Sequence, residues 1–529
     1  MPTATLADPG DVGEAEPTAP AARPVPPALV PWRDPRPWIG WLVVVGLGIL
    51  AGFTRFWTLG FPNEKIFDEA YYPVEAQELL RYGYEDNRGY MFIVHPPLGK
   101  WLIAWSSDLF GNGLSDAFGW RVFPAIFGCL TVVVVARIAR RMFRSNLFGA
   151  LAGVLIALEG VSLVLSRTAI LDVFLEFFLI AAFGALVLDR DQIRGRLGRL
   201  IADGADLSSG VPTFGPRPWR LAAGVLFGLA CAVKWTGLSF FVAFVVLTLV
   251  WDRGALKVAG VRRPTTEVFK RSAPFAIGSL LLAPIGAYLM TYLGWFVGEN
   301  GWGRHWADNH GPSTTLHLFG LHIPWTWAWV PDPIRALGSW TLQAYRFHEG
   351  LDSGHTYQSN PWNWWVLGRP VDFYYDGNSK ACGASSCSRE ILLIGTPLLW
   401  WAFMPAMLWL AWHYVTTRDW RAAAIWVAFA AGWLVWFQDL KRTMFLFYMA
   451  PLVPFLILAL THALGVMFGA RSEHVAGRFA FVRRRWGVLG VSAFIALVVL
   501  DFAWMWPIFT GKLLTYDSWH AHMWLPSWV

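Results

Sequence analysis

Nine ionisable side chains stand where an apolar chain can least accommodate them. Asp68 and Glu69 fall within Ile-Phe-Asp-Glu-Ala-Tyr-Tyr, and Glu159 closes an apolar run. Arg167 sits in Leu-Ser-Arg-Thr-Ala-Ile-Leu-Asp, and Asp172 and Glu176 follow four residues apart in the next apolar run. Lys234, Lys441 and Arg442 mark two further junctions. Charge in or beside hydrocarbon is costly, so each is a functional candidate by default. A carboxylate can take a proton from a hydroxyl, a poor nucleophile at neutral pH. Clustered cations can stabilise negative charge that develops on a departing phosphate. The blander readings are a snorkelling anchor for Lys234, a helix-stapling ion pair of Arg167 with Asp172 or Glu176, and loop solvation for Asp68 and Glu69. The flanking Phe67, Tyr71 and Tyr72 argue against the last.

The elements that must position these groups are transmembrane helices. The chain has 529 residues, 55% hydrophobic and only 15% charged, with mean hydropathy +0.42. About 25% charged is usual in soluble proteins, so an ordinary cytosolic enzyme is excluded. About 20 apolar residues span a bilayer. Eleven candidates are centred on 38–57, 117–139, 146–165, 169–188, 219–234, 236–251, 273–296, 391–414, 422–438, 443–466 and 487–506. Five short connections (137–145, 189–220, 252–271, 415–421 and 467–486) hold 23 of the 43 basic residues. The positive-inside rule makes that side cytoplasmic. The N-terminus is then inside, the C-terminus outside, and all nine candidates lie toward the external leaflet. The same distribution explains the net charge of +7 without nucleic acid as a partner.

Residues 1–35 read as a Pro- and Ala-rich disordered cytoplasmic tail, 36–510 as the membrane domain and 511–529 as an external C-terminal segment. Two external loops, about 60–116 and 297–390, are too long to be turns and form the expected working surface. Pro97 followed by Leu98, Trp101, Leu102, Trp105 and Leu109 predicts an interfacial helix. Cys382 and Cys387 predict a short external disulfide, with two free thiols as the alternative. His305 with His310, and His520 with His522, match no strong metal-ligand pattern. There is no Walker loop, dinucleotide fingerprint or nucleophile elbow. No cofactor is called for, and any need for a divalent metal is left open.

An enzyme working outside the cytoplasm needs a donor that has been carried across the membrane. A sugar on a polyprenyl phosphate is such a donor, and its tail suits an all-helical membrane body. Arg167, Lys234 and Arg442 are cations suited to the phosphate, and one carboxylate suffices as base. In-line attack then inverts the anomeric centre.

At this point the residues resemble a known family. Phe67-Asp68-Glu69, His95-Pro96-Pro97-Leu98-Gly99-Lys100, Ser166-Arg167 with Leu171-Asp172, Val233-Lys234-Trp235-Thr236-Gly237-Leu238, and Pro361-Trp362 with Arg369-Pro370 resemble blocks of the protein O-mannosyltransferases, in order, over roughly 38–510. The resemblance implies an all-α polytopic GT-C fold and a polyprenyl phosphate β-mannose donor. It implies transfer to Ser or Thr of secreted proteins, met at the secretion translocon, with inversion to the α-linkage. It makes the acidic pair the catalytic centre, with Asp68 as base and Glu69 in support, and puts Arg167 and Lys234 near the donor phosphate. Arg442 joins them from its depth and charge. His95, Glu159, Asp172, Glu176 and Arg369 are expected in supporting roles. The second loop, about 95 residues, is too short for the β-trefoil module of eukaryotic members, which resembles the bacterial branch. Its Trp325, Trp327, Trp362, Trp364 and Trp365 read either as sugar-stacking platforms or as interface anchors. Two rivals are a sibling enzyme that glycosylates a lipid or cell-wall glycan, and a transporter using Glu159, Asp172 and Glu176 as a proton path. The absence of internal repeats weighs against the second.

Overall fold

The computed structural model describes residues 24–86, 93–212, 214–318, 321–326, 328–468 and 478–529. It is mostly helical. The first crossing, α1 (Pro37–Phe56), opens with proline at its first turn, where a missing N–H costs nothing. The first long loop follows, carrying α2 (Tyr72–Tyr82) and α3 (Leu98–Phe110), the latter where the sequence predicts a helix. Next come α4 (Ala117–Phe143), α5 (Asn146–Ala157), α6 (Gly160–Leu165), α7 (Asp172–Ala202), α8 (Pro218–Val233), α9 (Gly237–Val258) and α10 (Pro264–Met290). The second loop contains β1 (Ser313–Leu318), β2 (Leu321–Thr326), α11 (Asp332–Glu349), β3 (Val371–Asp376) and β4 (Cys387–Leu393). The chain then runs through α12 (Pro397–Thr417), α13 (Trp420–Trp433), α14 (Val453–Met467) and α15 (Arg478–Thr510), ending in β5 (Leu514–Thr515) and α16 (Tyr516–Ala521).

Eight of these helices, counting the short 3-10 extensions, are long and apolar enough to cross a membrane. The other three expected spans are present as helices that depart from the simple pattern. The α8 helix is short, α7 carries intramembrane carboxylates, and the span expected at 146–165 is broken into α5 and α6. At the break Glu159 caps α6, accepting from the backbone N–H groups of Val161 (2.9 Å) and Ser162 (2.7 Å). Thr396 Oγ1 donates to the Leu158 carbonyl at 2.6 Å, so backbone groups freed at membrane depth are satisfied. Gly160 permits the break: a Cβ there would lie 2.3 Å from the Ile394 carbonyl oxygen.

The helix running from Leu446 through α14 has 89% of its apolar window buried, against 17% for α10. It is apolar all round because protein surrounds it. Helices α8 and α10 approach closely through Gly224 and Gly228, where added Cβ atoms would meet the Ser279 and Pro284 carbonyls. Two π turns in α10, Val268–Ser272 and Gly278–Leu282, each end two residues before a proline, Pro274 and Pro284.

Four expectations need correction. The chain is not purely helical: β1 pairs with β2, and β3, β4 and β5 form a three-stranded antiparallel sheet. The span expected from residue 391 begins at Pro397, because 387–393 is strand. Residues 24–35, read as part of a disordered tail, are packed: Leu29 is buried against Ile193 and Leu197 of α7, and Asp34 pairs with Arg140. Residues 1–23 lie outside the described residues. Finally, Arg217 and Arg220, counted as loop charges, are buried in a network with Asp189 and Asp252. The C-terminal segment folds onto the second loop, where Trp519 Nε1 donates to Glu390 (2.5 Å) and Trp528 Nε1 to the Leu367 carbonyl (2.7 Å). Cys382 and Cys387 are disulfide-bonded.

Candidate active site

Asp68 lies in a single 3-10 turn, Phe67–Ala70, between α1 and α2. Phe67 enters that turn at φ 48°, a left-handed conformation unfavourable for a bulky residue. Its ring is held by stacking on Phe373 of β3 (4.7 Å) and by edge contacts with Phe445 and Phe447 ahead of α14 (5.9 and 5.8 Å). Two distant segments thus fix the backbone that presents Asp68, the situation in which local strain persists. The Tyr72 hydroxyl, one turn along, donates to the Asp68 carboxylate.

The facing wall comes from the starts of α7 and α9. Lys234, in the extended turn between α8 and α9, donates to Asp172 at the first position of α7 (2.6 Å). The pair is almost fully buried, and the ammonium also lies 5.8 Å from the ring centroids of Phe447 and Tyr448. It is a buried ion pair, not a snorkelling anchor. Burial pushes the Asp68 carboxyl up to about 6; nearby Lys234 pulls it down, while Asp172 and Glu75 push it up.

The third side is basic. Arg442 Nε donates to the His348 carbonyl (2.8 Å), and Nη2 lies 3.4 Å from His348 Nδ1. His348 Nε2 is 3.1 Å from the Val94 carbonyl, which assigns its proton to Nε2 and leaves Nδ1 as acceptor. The Arg442 guanidinium lies 5.5 Å from the Trp436 and Tyr448 ring centroids, with Nη1 buried and without a hydrogen-bond partner. The His95 and His348 rings are 5.0 Å apart. Burial, reinforced by Lys234, His348, Lys100 and Arg442, holds His95 well below the usual imidazole range. Burial and Arg442 bring His348 down to about 4. Both are neutral hydrogen-bonding groups near pH 7.

Asp68, Asp172, Lys234, His95 and Arg442 therefore meet at one place. The other expected residues do not. Glu69 faces away from Asp68: Arg121 donates to its two oxygens at 2.8 and 2.6 Å, and the backbone N–H groups of Ala169 and Ile66 add two more bonds. Arg167 donates to the carbonyls of Thr54, Arg55 and Trp57 at the end of α1 (3.3, 3.1 and 2.5 Å). That is a C-terminal cap; the alternative reading, an ion pair of Arg167 with Asp172 or Glu176, does not form, and Asp172 pairs with Lys234 instead. Glu159 caps α6 and accepts from Trp400 Nε1 (2.7 Å). Glu176 is buried deeper, near Arg55 and Glu159. Arg369 donates to the carbonyl oxygens of Thr356 and Val529 (3.2 and 2.9 Å), fastening the C-terminal segment.

Sequence reading missed four groups. Tyr72 and Arg121 touch the acidic pair directly, and His348 orders Arg442. Lys100, the last residue of the His-Pro-Pro block, is fully buried between Glu75 (3.3 Å) and Glu85, so its charge is spent on the fold. A fully buried cation needs such partners, but they lie 15 and 25 residues away and carry no local signal. Among the loop tryptophans, Trp364 is buried and bonded to Ser359, and Trp365 packs on Phe429 and Trp433; Trp362 remains exposed. The side chains of Trp325 and Trp327 lie outside the described residues. Among the described residues, one group has metal-ligand geometry, His413, Asp419 and His462; the rings of His305, His310 and His522 bond to backbone carbonyls, and His520 packs on Tyr516 and Trp519.

A polytopic helical body with an acidic turn facing buried cations beneath two long loops defines a membrane glycosyltransferase of the GT-C class. The fold matches the structure of the S. cerevisiae protein O-mannosyltransferase Pmt1-Pmt2 complex bound to the sugar donor. The TM-score is 0.71 with 17% identity, covering 93% of this chain and 92% of that one. Residues 45–258 match the dolichyl-phosphate-mannose-protein mannosyltransferase family, and 337–528 match the C-terminal four-transmembrane region of protein O-mannosyltransferases. The polyprenol-phosphate-mannose–protein mannosyltransferase of Mycobacterium tuberculosis is 40% identical, covering 97% of each chain. That of Mycolicibacterium smegmatis is 42% identical, over 92% of this chain and 93% of its own. The chain belongs to the protein O-mannosyltransferase family.

Proposed function

We infer that this protein transfers mannose from a polyprenyl phosphate mannose to Ser or Thr hydroxyls of exported polypeptides at the external membrane face. The observation that carries the reading is Asp68, presented by a strained turn and facing the Lys234–Asp172 pair and Arg442. Asp68 takes the hydroxyl proton as the acceptor oxygen attacks the anomeric carbon. The carbon–oxygen bond to phosphate breaks on the opposite face, so the β-donor gives an α-product. Lys234 and the open Nη1 of Arg442 take up the charge that develops on the leaving polyprenyl phosphate. Tyr72 orients the base. Glu69 and Arg167 are positioning residues that anchor the acidic turn and the end of α1. We place the chain in eleven crossings with the N-terminus inside, the acceptor arriving extended from the secretion translocon.

The test is incubation of the purified protein with labelled polyprenyl phosphate mannose and a Ser/Thr-rich peptide. Mannosyl peptide with an α-linkage is the expected product. Label appearing only on lipid or glycan acceptors would transfer the reading to the sibling activity, and substrate flux without covalent product would favour a transporter.

The raised carboxyl of Asp68 sets a pH dependence. A base must be ionised, so the rate rises with pH up to about 6 and levels off above it. Lys234 is the cation that lowers this value. Lys234→Gln should therefore move the acid limb of the profile to higher pH and lower turnover by about 10²-fold, as loss of one charge-stabilising donor does. Rates measured between pH 5 and 8 check both, and an unmoved limb would show that Lys234 does not act on the base.

A further inference from the structure

At the end of the helical body opposite Asp68, three ligand-type side chains from three elements converge. His413 lies in the last turn of α12, Asp419 is the N-cap of α13, and His462 lies toward the end of α14. One ligand atom from each lies within 4.8 Å of the others. The Nε2 atoms of His413 and His462 face the same carboxylate oxygen, Asp419 Oδ2, at 3.6 and 3.5 Å. These separations sit at or beyond the limit of a hydrogen bond. They approach the edge of a tetrahedron, about 3.3–3.5 Å, drawn by ligands about 2.0–2.1 Å from a central ion.

The frame around the three is rigid. Trp409 stacks on His413 (5.0 Å) and touches His462 (5.2 Å), while Phe143 meets His462 edge-on (5.3 Å). Arg421 donates to Asp419 Oδ1 through Nε (2.8 Å) and backbone N–H (3.0 Å), and to Oδ2 through Nη2 (2.8 Å). It orients the carboxylate as an outer partner orients a metal ligand, and it competes for Oδ2. A cavity of about 290 Å³ opens beside His462, lined by Phe143, Arg144, Ser145 and Arg421. It supplies an entry path and room for a water or small anion as a fourth ligand.

We propose that His413, Asp419 and His462 bind a zinc-class divalent cation that ties the α12–α13 hairpin to α14. Two imidazoles and one carboxylate are a borderline-soft donor set suited to Zn²⁺ and poorly suited to Mg²⁺ or Ca²⁺. The site lies about 20 Å along the helix from Tyr448 at the cleft, by the rise of the intervening residues. Its role is therefore to fix helices, not to take part in transfer, and it stands whether or not the mannosyl-transfer reading does.

The test uses the full chain in detergent, free of affinity tag, stripped with chelator and titrated with Zn²⁺ alone by calorimetry. Co²⁺ substitution supplies a visible absorption signature of ligation. One ion per chain is expected, with His413→Gln and His462→Gln each weakening binding by at least about 10²-fold. Thermal unfolding of each metal-free variant separates lost ligation from failed folding, and His413→Gln, at the less enclosed position, remains available if the His462 variant does not fold. Absence of stoichiometric binding, or equal affinity in wild type and a folded His413→Gln, overturns the proposal.

Discussion

Asp68→Asn lowers mannosyl transfer by about 10²–10⁴-fold, the share that a positioned general base contributes, while donor binding survives. The substitution keeps the shape of the side chain and its hydrogen bond with Tyr72, and removes only the capacity to accept a proton. It also removes a buried negative charge beside Asp172 and Glu75, so the variant should be no less stable than the parent. Initial rates with a saturating Ser/Thr peptide, set beside donor affinity and thermal unfolding, check the claim. A variant that transfers mannose within a few-fold of the parental rate would remove Asp68 from the base role.

The neighbouring carboxylate gives the opposite pattern. Glu69 and Arg121 are both fully buried, and each oxygen of Glu69 receives one guanidinium and one backbone donor. Removing one partner of such a pair strands the other charge, at a cost of about 3–5 kcal/mol. Glu69→Ala should therefore reduce folded yield and thermal stability sharply, and activity only in proportion to folded protein. Arg121 also donates to the carbonyls of Pro62 and Glu64 (2.9 and 3.0 Å), so Arg121→Met should loosen the same loop. Loss of turnover in a Glu69 variant of unchanged stability would instead return Glu69 to the chemistry.

The contrast shows what was legible in the sequence. The acidic pair reads as a unit because its members are adjacent, yet a single 3-10 turn sends them to opposite sides of the backbone. The helices were legible because each must carry a long apolar run. The break at Glu159 was not, since a capping carboxylate and an intramembrane functional carboxylate look alike until the following N–H groups are placed. Arg167 illustrates the same ambiguity: a cation beside a phosphate and a cation on helix-end carbonyls have one sequence signature. The β4 strand of the second loop escaped notice because its apolar end, 391–393, runs through Ile394, with only Gly395 and Thr396 intervening, into the apolar start of α12. Arg442 and Lys234 stood out in the sequence as charges at the junctions of apolar runs, whereas His348 and Tyr72 needed the loops folded over the cleft. The metal-ligand trio lies 6 and 43 residues apart along the chain, outside any compact motif.

The enclosed helix leading into α14 has a consequence for biosynthesis. Its neighbours include α4, α5 and α7 from the first half of the chain together with α12 and α13 from the second. The early helices leave the ribosome with a vacant central slot whose occupant is synthesised about 240 residues after α7. Until residue 467 emerges, that slot must be filled by lipid or shielded by the insertion machinery. Fragments divided near residue 300 are thus expected to be degraded when made singly and to persist when made together.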